Sequence, residues 1–251
     1  MKGRWLWWGL IVLNLAGCGQ SAVRHGSESK ESLAQIYTNL GLAYMQQGNR
    51  ETALEKFLRA LEHDPDYPEA HHYIASVYQQ QGLLEKAGQH YQRALQLDAD
   101  NPMLRNNYGT FLCDRDKYPE AEKLFLEVAR NPHYKTPELA YENAGLCAQR
   151  RGDAQQAERH FRAALEINSK LPGTLYQMAL LTYNSERYLP ARAYLQRFSE
   201  LAAPVPHSLW LGIKIARKLG DRQAVAEYAA RLKGDFPNTE EARLLRESER
   251  K

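Results

Sequence analysis

Small residues return along this chain at a nearly constant interval. Gly41, Ala75, Gly109, Gly145 and Ala179, with Ile213 in the sixth place, are separated by 34, 34, 36, 34 and 34 residues. A second series, Ala53, Ala87, Ala121, Ala157, Ala191 and Val225, keeps the same steps. Two registers in phase over six copies mean that one supersecondary unit is repeated. A unit of that length cannot bury its apolar face alone, so the copies must stack on one another.

Within each unit, apolar residues at helical spacing run up to a break near Gly48, Gly82, Gly152 or Gly220 and resume beyond it, so each unit is a pair of helices, A and B. Tyr44 and Tyr78 stand three residues after the first small position, and Phe57, Tyr91, Phe125 and Phe161 four after the second. The small residues let A and B approach, and the rings fill the space beside them. Pro68, Pro102, Pro172 and Pro206 open units at first-turn positions, where a missing N–H costs nothing. The stretch YTNLGLAYMQQGNRETALEKFLRALEHDPD, residues 37–66, resembles the tetratricopeptide repeat almost throughout. The resemblance implies an all-α fold, a right-handed α-solenoid of six tetratricopeptide helix-turn-helix repeats at 34–67, 68–101, 102–137, 138–171, 172–205 and 206–239. These fall in a domain spanning 32–245, in which EEARLL (240–245) caps the last pair, followed by a charged tail at 246–251. The two additional residues fall in RNPHYKTPE, 130–138, where Pro132 and Pro137 lengthen a turn and predict an irregular joint.

Ahead of the repeats lies a different chemistry. The apolar run Trp5–Ala16 is 12 residues long, short of the roughly 20 that cross a bilayer core, and it follows Lys2 and Arg4. These are the parts of a secretory signal peptide, residues 1–17. Leu15-Ala16-Gly17-Cys18 resembles a bacterial lipobox, which implies cleavage before Cys18 and lipidation of that cysteine. Gly19 stands where an aspartate would signal inner-membrane retention, so the resemblance implies a lipid-anchored, periplasm-facing protein of the outer membrane. Residues 18–31 carry too few large apolar side chains to order themselves and read as a lipidated flexible tether.

Charge and motif content narrow the function. The formal net charge of +3 falls to +1 once Lys2 and Arg4 leave with the signal peptide (31 − 30), against a nucleic-acid partner that demands a concentrated basic face. No G-x-S-x-G, Gly-rich phosphate loop or H-E-x-x-H occurs, and His71 and His72, adjacent on a helix, point about 100° apart and cannot clasp one metal as an i, i+4 pair does. The expectation is a non-enzyme with no cofactor and no small-molecule substrate. Cys113 and Cys147 sit on the A helices of repeats three and four, and the periplasm permits disulfides. Two readings stand: a bridge, which is preferred, or two buried thiols packed as small hydrophobes.

Solenoids of this kind take partners along the face of their A helices. Repeat positions 2, 5, 9, 12 and 13 assign to it Leu42 and Met45; His72, Ser76 and Gln79; Asn106 and Thr110; Leu139, Glu142 and Leu146; Tyr176, Leu180 and Tyr183; then Trp210, Lys214 and Arg217. Tyr176, Tyr183 and Trp210 are either binding anchors or packing between adjacent helices. Repeat domains that hold chaperone C-termini place lysine at position 5 and asparagine at position 9. Here those are Thr38 with Leu42 and His72 with Ser76, which disfavours that ligand despite Asn39, Asn107 and Asn143 at position 6.

Four segments are more specific than the repeat pattern: NNYGTFLC (106–113), AYENAGLC (140–147), RYLPARAYLQRF (187–198) and SLWLGIKIARKLGD (208–221). With the lipobox they resemble the type IV pilus biogenesis and stability lipoproteins of the PilF and PilW kind, from Cys18 to about Arg243. That resemblance implies an outer-membrane scaffold that binds PilQ-like secretin subunits and helps them localise and multimerise. A second reading is a general outer-membrane adaptor that recruits cell-wall hydrolases or other envelope proteins.

Overall fold

The structure, a computed structural model, describes residues 32–250. The signal segment, Cys18 and the tether lie outside them. Among the described residues there are thirteen α-helices and no strand. Twelve form six antiparallel pairs: α1 (Leu33–Gln46) with α2 (Arg50–His63), α3 (Pro68–Gln80) with α4 (Leu84–Leu97), α5 (Pro102–Asp114) with α6 (Tyr118–Arg130), α7 (Pro137–Arg150) with α8 (Ala154–Ile167), α9 (Pro172–Asn184) with α10 (Tyr188–Leu201), and α11 (Pro206–Leu219) with α12 (Arg222–Asp235). Each pair packs on the next, so the chain is an α-solenoid. The last helix, α13 (Glu240–Glu249), packs on α11 and α12.

Local chemistry sets these boundaries. Pro68, Pro102, Pro137, Pro172 and Pro206 open five of the six A helices. Asn49, Asp153 and Asp221 cap B helices by accepting from the backbone N–H of Thr52, Gln156 and Ala224 at 3.2, 2.9 and 3.0 Å. The A-to-B turn needs one residue in the left-handed region. Gly48, Gly82, Gly152 and Gly220 supply it with φ between 72° and 84°, but the turns of the third and fifth pairs use Asp116 (φ 59°) and Glu186 (φ 58°). The turn is thus imposed by the packing of the helices it joins, even where no glycine relieves it.

The core is a column of small-against-large contacts, with an aromatic ring as the large partner in every pair but the fifth, where Leu195 stands. Phe57, Phe125 and Phe161 are fully buried, each with its ring over the glycine sixteen positions before it: Gly41, Gly109 and Gly145. A methyl group on Gly145 would lie 2.5 Å from the Phe161 ring, and one on Gly109 2.8 Å from Phe125. In the sixth pair the structure corrects the register read from the sequence. The ring there belongs to Tyr228 and faces Gly212, where an added Cβ would come within 2.9 Å; Ile213 is a wholly buried apolar residue beside it. The step from Ala179 is therefore 33 residues, and Ala224 takes the small-residue place assigned to Val225. The reason is steric: only a residue without Cβ admits the ring at that crossing.

Two further departures concern the ends of repeats. Residues 131–136 connect α6 to α7, where the other pairs are joined by 64–67, 98–101, 168–171 and 202–205. The longer link folds on Asn131, whose side chain accepts from His133 N at 2.9 Å and whose carbonyl accepts from Tyr134 N at 3.0 Å. α13 continues past 245 to Glu249, into the stretch expected as a charged tail. Ala242 and Leu245 are buried against Leu209, Ile213, Ala229 and Leu232, and Lys233 reaches the Glu249 carboxylate at 2.7 Å. Burying that apolar stripe holds the helix beyond the cap that sequence alone suggested.

Candidate functional site

The A-helix face divides into a tied half and an open half. In the first half, side chains that the repeat positions assigned to partner binding are committed to their neighbours. Gln79 accepts from the Tyr91 hydroxyl (3.0 Å) and donates to Asp114 (2.9 Å), which also pairs with Arg150, so one polar chain crosses α3, α5 and α7. Asn106 accepts from the Asn143 amide at 3.1 Å. Leu42 and Met45 are half-buried against Phe57, Ile74 and Val77. Thr110 is exposed, and its hydroxyl donates to the Asn106 carbonyl at 3.2 Å.

His72 is a correction. It was assigned to the binding face, but only 4% of its surface is accessible. Position 5 of this repeat is covered by the next A helix, and the Asn107 amide donates to Nε2 at 2.8 Å. That contact leaves the ring proton on Nδ1, a buried atom with no hydrogen-bond partner among the described residues. Burial pushes the imidazole down to about 4. His71 turns the other way, with Nδ1 3.0 Å from His90 Nδ1 and Nε2 donating to the Pro65 carbonyl at 3.0 Å.

A pH prediction arises here. The folded pKa of His72 is depressed, so between pH 6.5 and about 4 the unfolded chain binds a proton that the folded chain refuses, and stability falls as pH falls. From pH 7 to pH 5 His72 should account for about 2 kcal/mol of lost unfolding free energy. Urea titrations at both pH values on the wild type and His72→Gln measure it. An equal drop in both proteins would remove His72 as the cause.

The middle of the face is transitional. Leu139 remains 39% exposed, and Leu146 packs in part against Phe161 and Met178. The Glu142 carboxylate lies over Gly173, where it meets the N-terminus of α9 and that end's partial positive charge. Cys113 and Cys147 are joined by a disulfide with Cα atoms 5.8 Å apart, tying α5 to α7 across the longer connection.

The second half is rich in rings. Tyr176 meets Phe198 at 5.8 Å and His207 edge-on at 4.9 Å, and its hydroxyl is pushed above the usual tyrosine range by burial and by Glu241 of α13. Leu180 and Tyr183 pack in part on Leu175, Leu195 and Leu211. Trp210 leans on the α11–α13 contact. Cations cover the rings: Lys214 Nζ lies 5.1 Å from the centroid of Tyr183, Arg217 5.8 Å from Trp210, and Lys218 5.7 Å from Tyr188. Ser76, Lys214 and Arg217 accompany the assigned residues, whereas Tyr188, Lys218 and His207 were missed. The signal for Lys218 was present as the spacing Trp210, Lys214, Arg217, Lys218, one stripe of a helix. Tyr188 belongs to a B helix and has no signal in the A-helix pattern.

Among the described residues, no group of three or more His, Cys, Asp or Glu side chains is placed to hold a metal ion, and no helix is long and apolar enough to cross a membrane. The arrangement offers a polar, ring-lined face of stacked helices, suited to holding another polypeptide.

Comparison with known proteins places the chain. The tetratricopeptide repeat family matches at residues 38–102 and 112–172. The type IV pilus assembly protein PilF of Pseudomonas aeruginosa is 33% identical over 233 residues, which is 92% of this chain and 92% of that one. The chain belongs to the PilF/PilW family of type IV pilus biogenesis factors. A solved structure of Pseudomonas aeruginosa PilF superposes with TM-score 0.76 at 33% identity, covering 86% of this chain and 97% of its own. A crystal structure of PilW, described as a widely conserved type IV pilus biogenesis factor, gives TM-score 0.78 at 30% identity, covering 84% and 97%. Both superpositions cover more than four-fifths of this PilF/PilW member.

Proposed function

We propose that this chain is an outer-membrane lipoprotein scaffold of type IV pilus biogenesis, which binds secretin subunits and promotes their localisation and multimerisation in the outer membrane. The observation that carries the reading is the similarity to PilF over nine-tenths of both chains, far beyond what the repeat pattern alone requires. Supporting it, the Leu15-Ala16-Gly17-Cys18 sequence supplies a lipid attachment point. Acyl chains at about 0.8 kcal/mol per buried methylene make desorption negligible. A tethered solenoid confines a bound subunit near the membrane and raises its effective concentration until subunits meet. The chain holds and does not transform its partner.

Deleting the gene should abolish heat-resistant secretin multimers while monomer remains. A Cys18→Ser protein retained in the periplasm should still bind secretin and assemble it poorly. Persistence of multimers and pili in the deletion strain would overturn the reading. Recovery of cell-wall hydrolases in place of secretin in an affinity pull-down would favour a general envelope adaptor.

A further inference from the structure

Six cation–ring contacts occur among the described residues, and half of them sit on one helix. Lys214, Arg217 and Lys218 lie on one stripe of α11, each over a different aromatic ring. Tyr183 and Tyr188 are themselves in contact, with centroids 5.7 Å apart, so Lys214, Tyr183, Tyr188 and Lys218 form one continuous patch between α9, α10 and α11. Elsewhere in the solenoid basic side chains close the junctions with carboxylates: Arg115 with Glu85, Arg150 with Asp114, Arg187 with Glu158, and Arg192 with Asp221. The three cations of α11 form no such pair among the described residues, and Arg217 has only the Ser248 hydroxyl, at 2.9 Å.

This matters energetically. A cation over a ring is partly stripped of water, and the ring quadrupole returns only part of what hydration gave it. Lys214 is half-buried, and burial lowers its pKa below the usual lysine value. A partly desolvated, unpaired cation among apolar rings is the arrangement in which an incoming carboxylate gains most, since it brings charge without a full desolvation penalty on the protein side. The rings offer rigid apolar area at low entropic cost, as interface anchors do.

We propose that the face formed by Tyr183, Tyr188, Trp210, Lys214, Arg217 and Lys218 is a docking site for an acidic stretch of a partner polypeptide, whose carboxylates meet the three cations while its apolar side chains lie on the rings. Charge complementarity selects the partner's sign. The geometry favours a polypeptide over an anionic membrane surface: Lys214 is half-buried on α11 against the Tyr183 ring of α9, a setting that suits a carboxylate inserted singly better than a flat layer of headgroups. Trp210 and Lys214 occupy positions 5 and 9 of the sixth repeat, with a ring and a cation where chaperone-tail binders have lysine and asparagine, and the site takes from the proposed function only that the A-helix face receives a polypeptide.

The test uses the full-length lipoprotein in detergent and, as probe, a fluorescent synthetic peptide of alternating glutamate and leucine. Saturable binding is expected, weakened by salt and lost when lysine replaces glutamate in the peptide. Lys214→Gln with Lys218→Gln should weaken it roughly tenfold or more, as removal of charge-assisted contacts does, whereas Lys86→Gln, which removes the cation over the Tyr78 ring in the second pair, should leave it unchanged. Lys218→Gln alone, at an exposed side chain, repeats the comparison should the double variant fold poorly by circular dichroism. Equal binding of the acidic and basic peptides, or of wild type and variant, overturns the proposal. So does the pattern in which phosphatidylglycerol vesicles bind in a Lys214- and Lys218-dependent way and the peptide does not. Secretin takes no part in the measurement, so loss of the secretin reading leaves this result standing, and failure here leaves the secretin reading intact.

Discussion

Phe161→Ala should lower the unfolding free energy by about 3–5 kcal/mol, the cost of a large buried ring leaving a cavity that its surroundings cannot close. Phe161 is wholly inaccessible and packs with Ala148, Ala157, Met178 and Leu181, so it serves both the α7–α8 pair and the packing of the fifth pair on the fourth. The ring also lies over Gly145, and this supplies a sharper test. Gly145→Ala alone puts a methyl 2.5 Å from the ring and should destabilise by overpacking, about 1–3 kcal/mol. Placed on top of Phe161→Ala, the same methyl enters vacated space, so the double variant should lose clearly less than the two single losses combined. Denaturant titration followed by circular dichroism measures all three proteins. A loss below about 1 kcal/mol for Phe161→Ala would mean that the ring-on-glycine contact does not organise the repeat.

Breaking the Cys113–Cys147 bridge should cost a comparable amount. The bond closes 34 residues of chain, for which loop-closure entropy gives about 3–4 kcal/mol. Both cysteines are at most 5% exposed, among Phe111, Leu112, Phe125 and Ala144. The gain is placed where the 131–136 connection is longest and the stacking of pairs has the most chain to order. Cys113→Ala with Cys147→Ala should therefore melt well below the oxidised wild type, and the wild type in reductant should fall toward the variant. Coincident denaturation curves for oxidised and reduced wild type would show that the bridge adds nothing to the fold.

The repeats were legible because stacking demands the same small-against-large pairing in every unit, and such a demand writes itself into the sequence at a fixed interval. Legibility failed where a tertiary contact changes the rule. At Gly212 the thirty-four-residue step is broken by one, and only the position of the Tyr228 ring shows which of two neighbouring residues takes the small place. At Asp116 and Glu186 the turn lacks its glycine signal, yet the packed helices impose the same φ. The binding face was read by repeat position alone. Of the residues it named, Thr110 and Leu139 are exposed and His72 is buried, since which side of an A helix the next pair covers depends on local tilt and side-chain volume.

What the sequence determined by itself is periodic and local: paired helices opened by proline and punctuated by glycine, a lipobox-like front, six units and two cysteines in facing places. These follow from backbone sterics and from the period of burial, which each residue expresses with its near neighbours. What only the tertiary structure decided is which side chains remain available. Gln79, Asn106 and His72 are consumed by neighbouring repeats, while Lys214, Arg217 and Lys218 are left over rings with no carboxylate among the described residues to answer them. Pairing of that kind joins residues some thirty positions apart. It is settled by distance and competing partners in the packed solenoid, quantities that no short stretch of sequence contains.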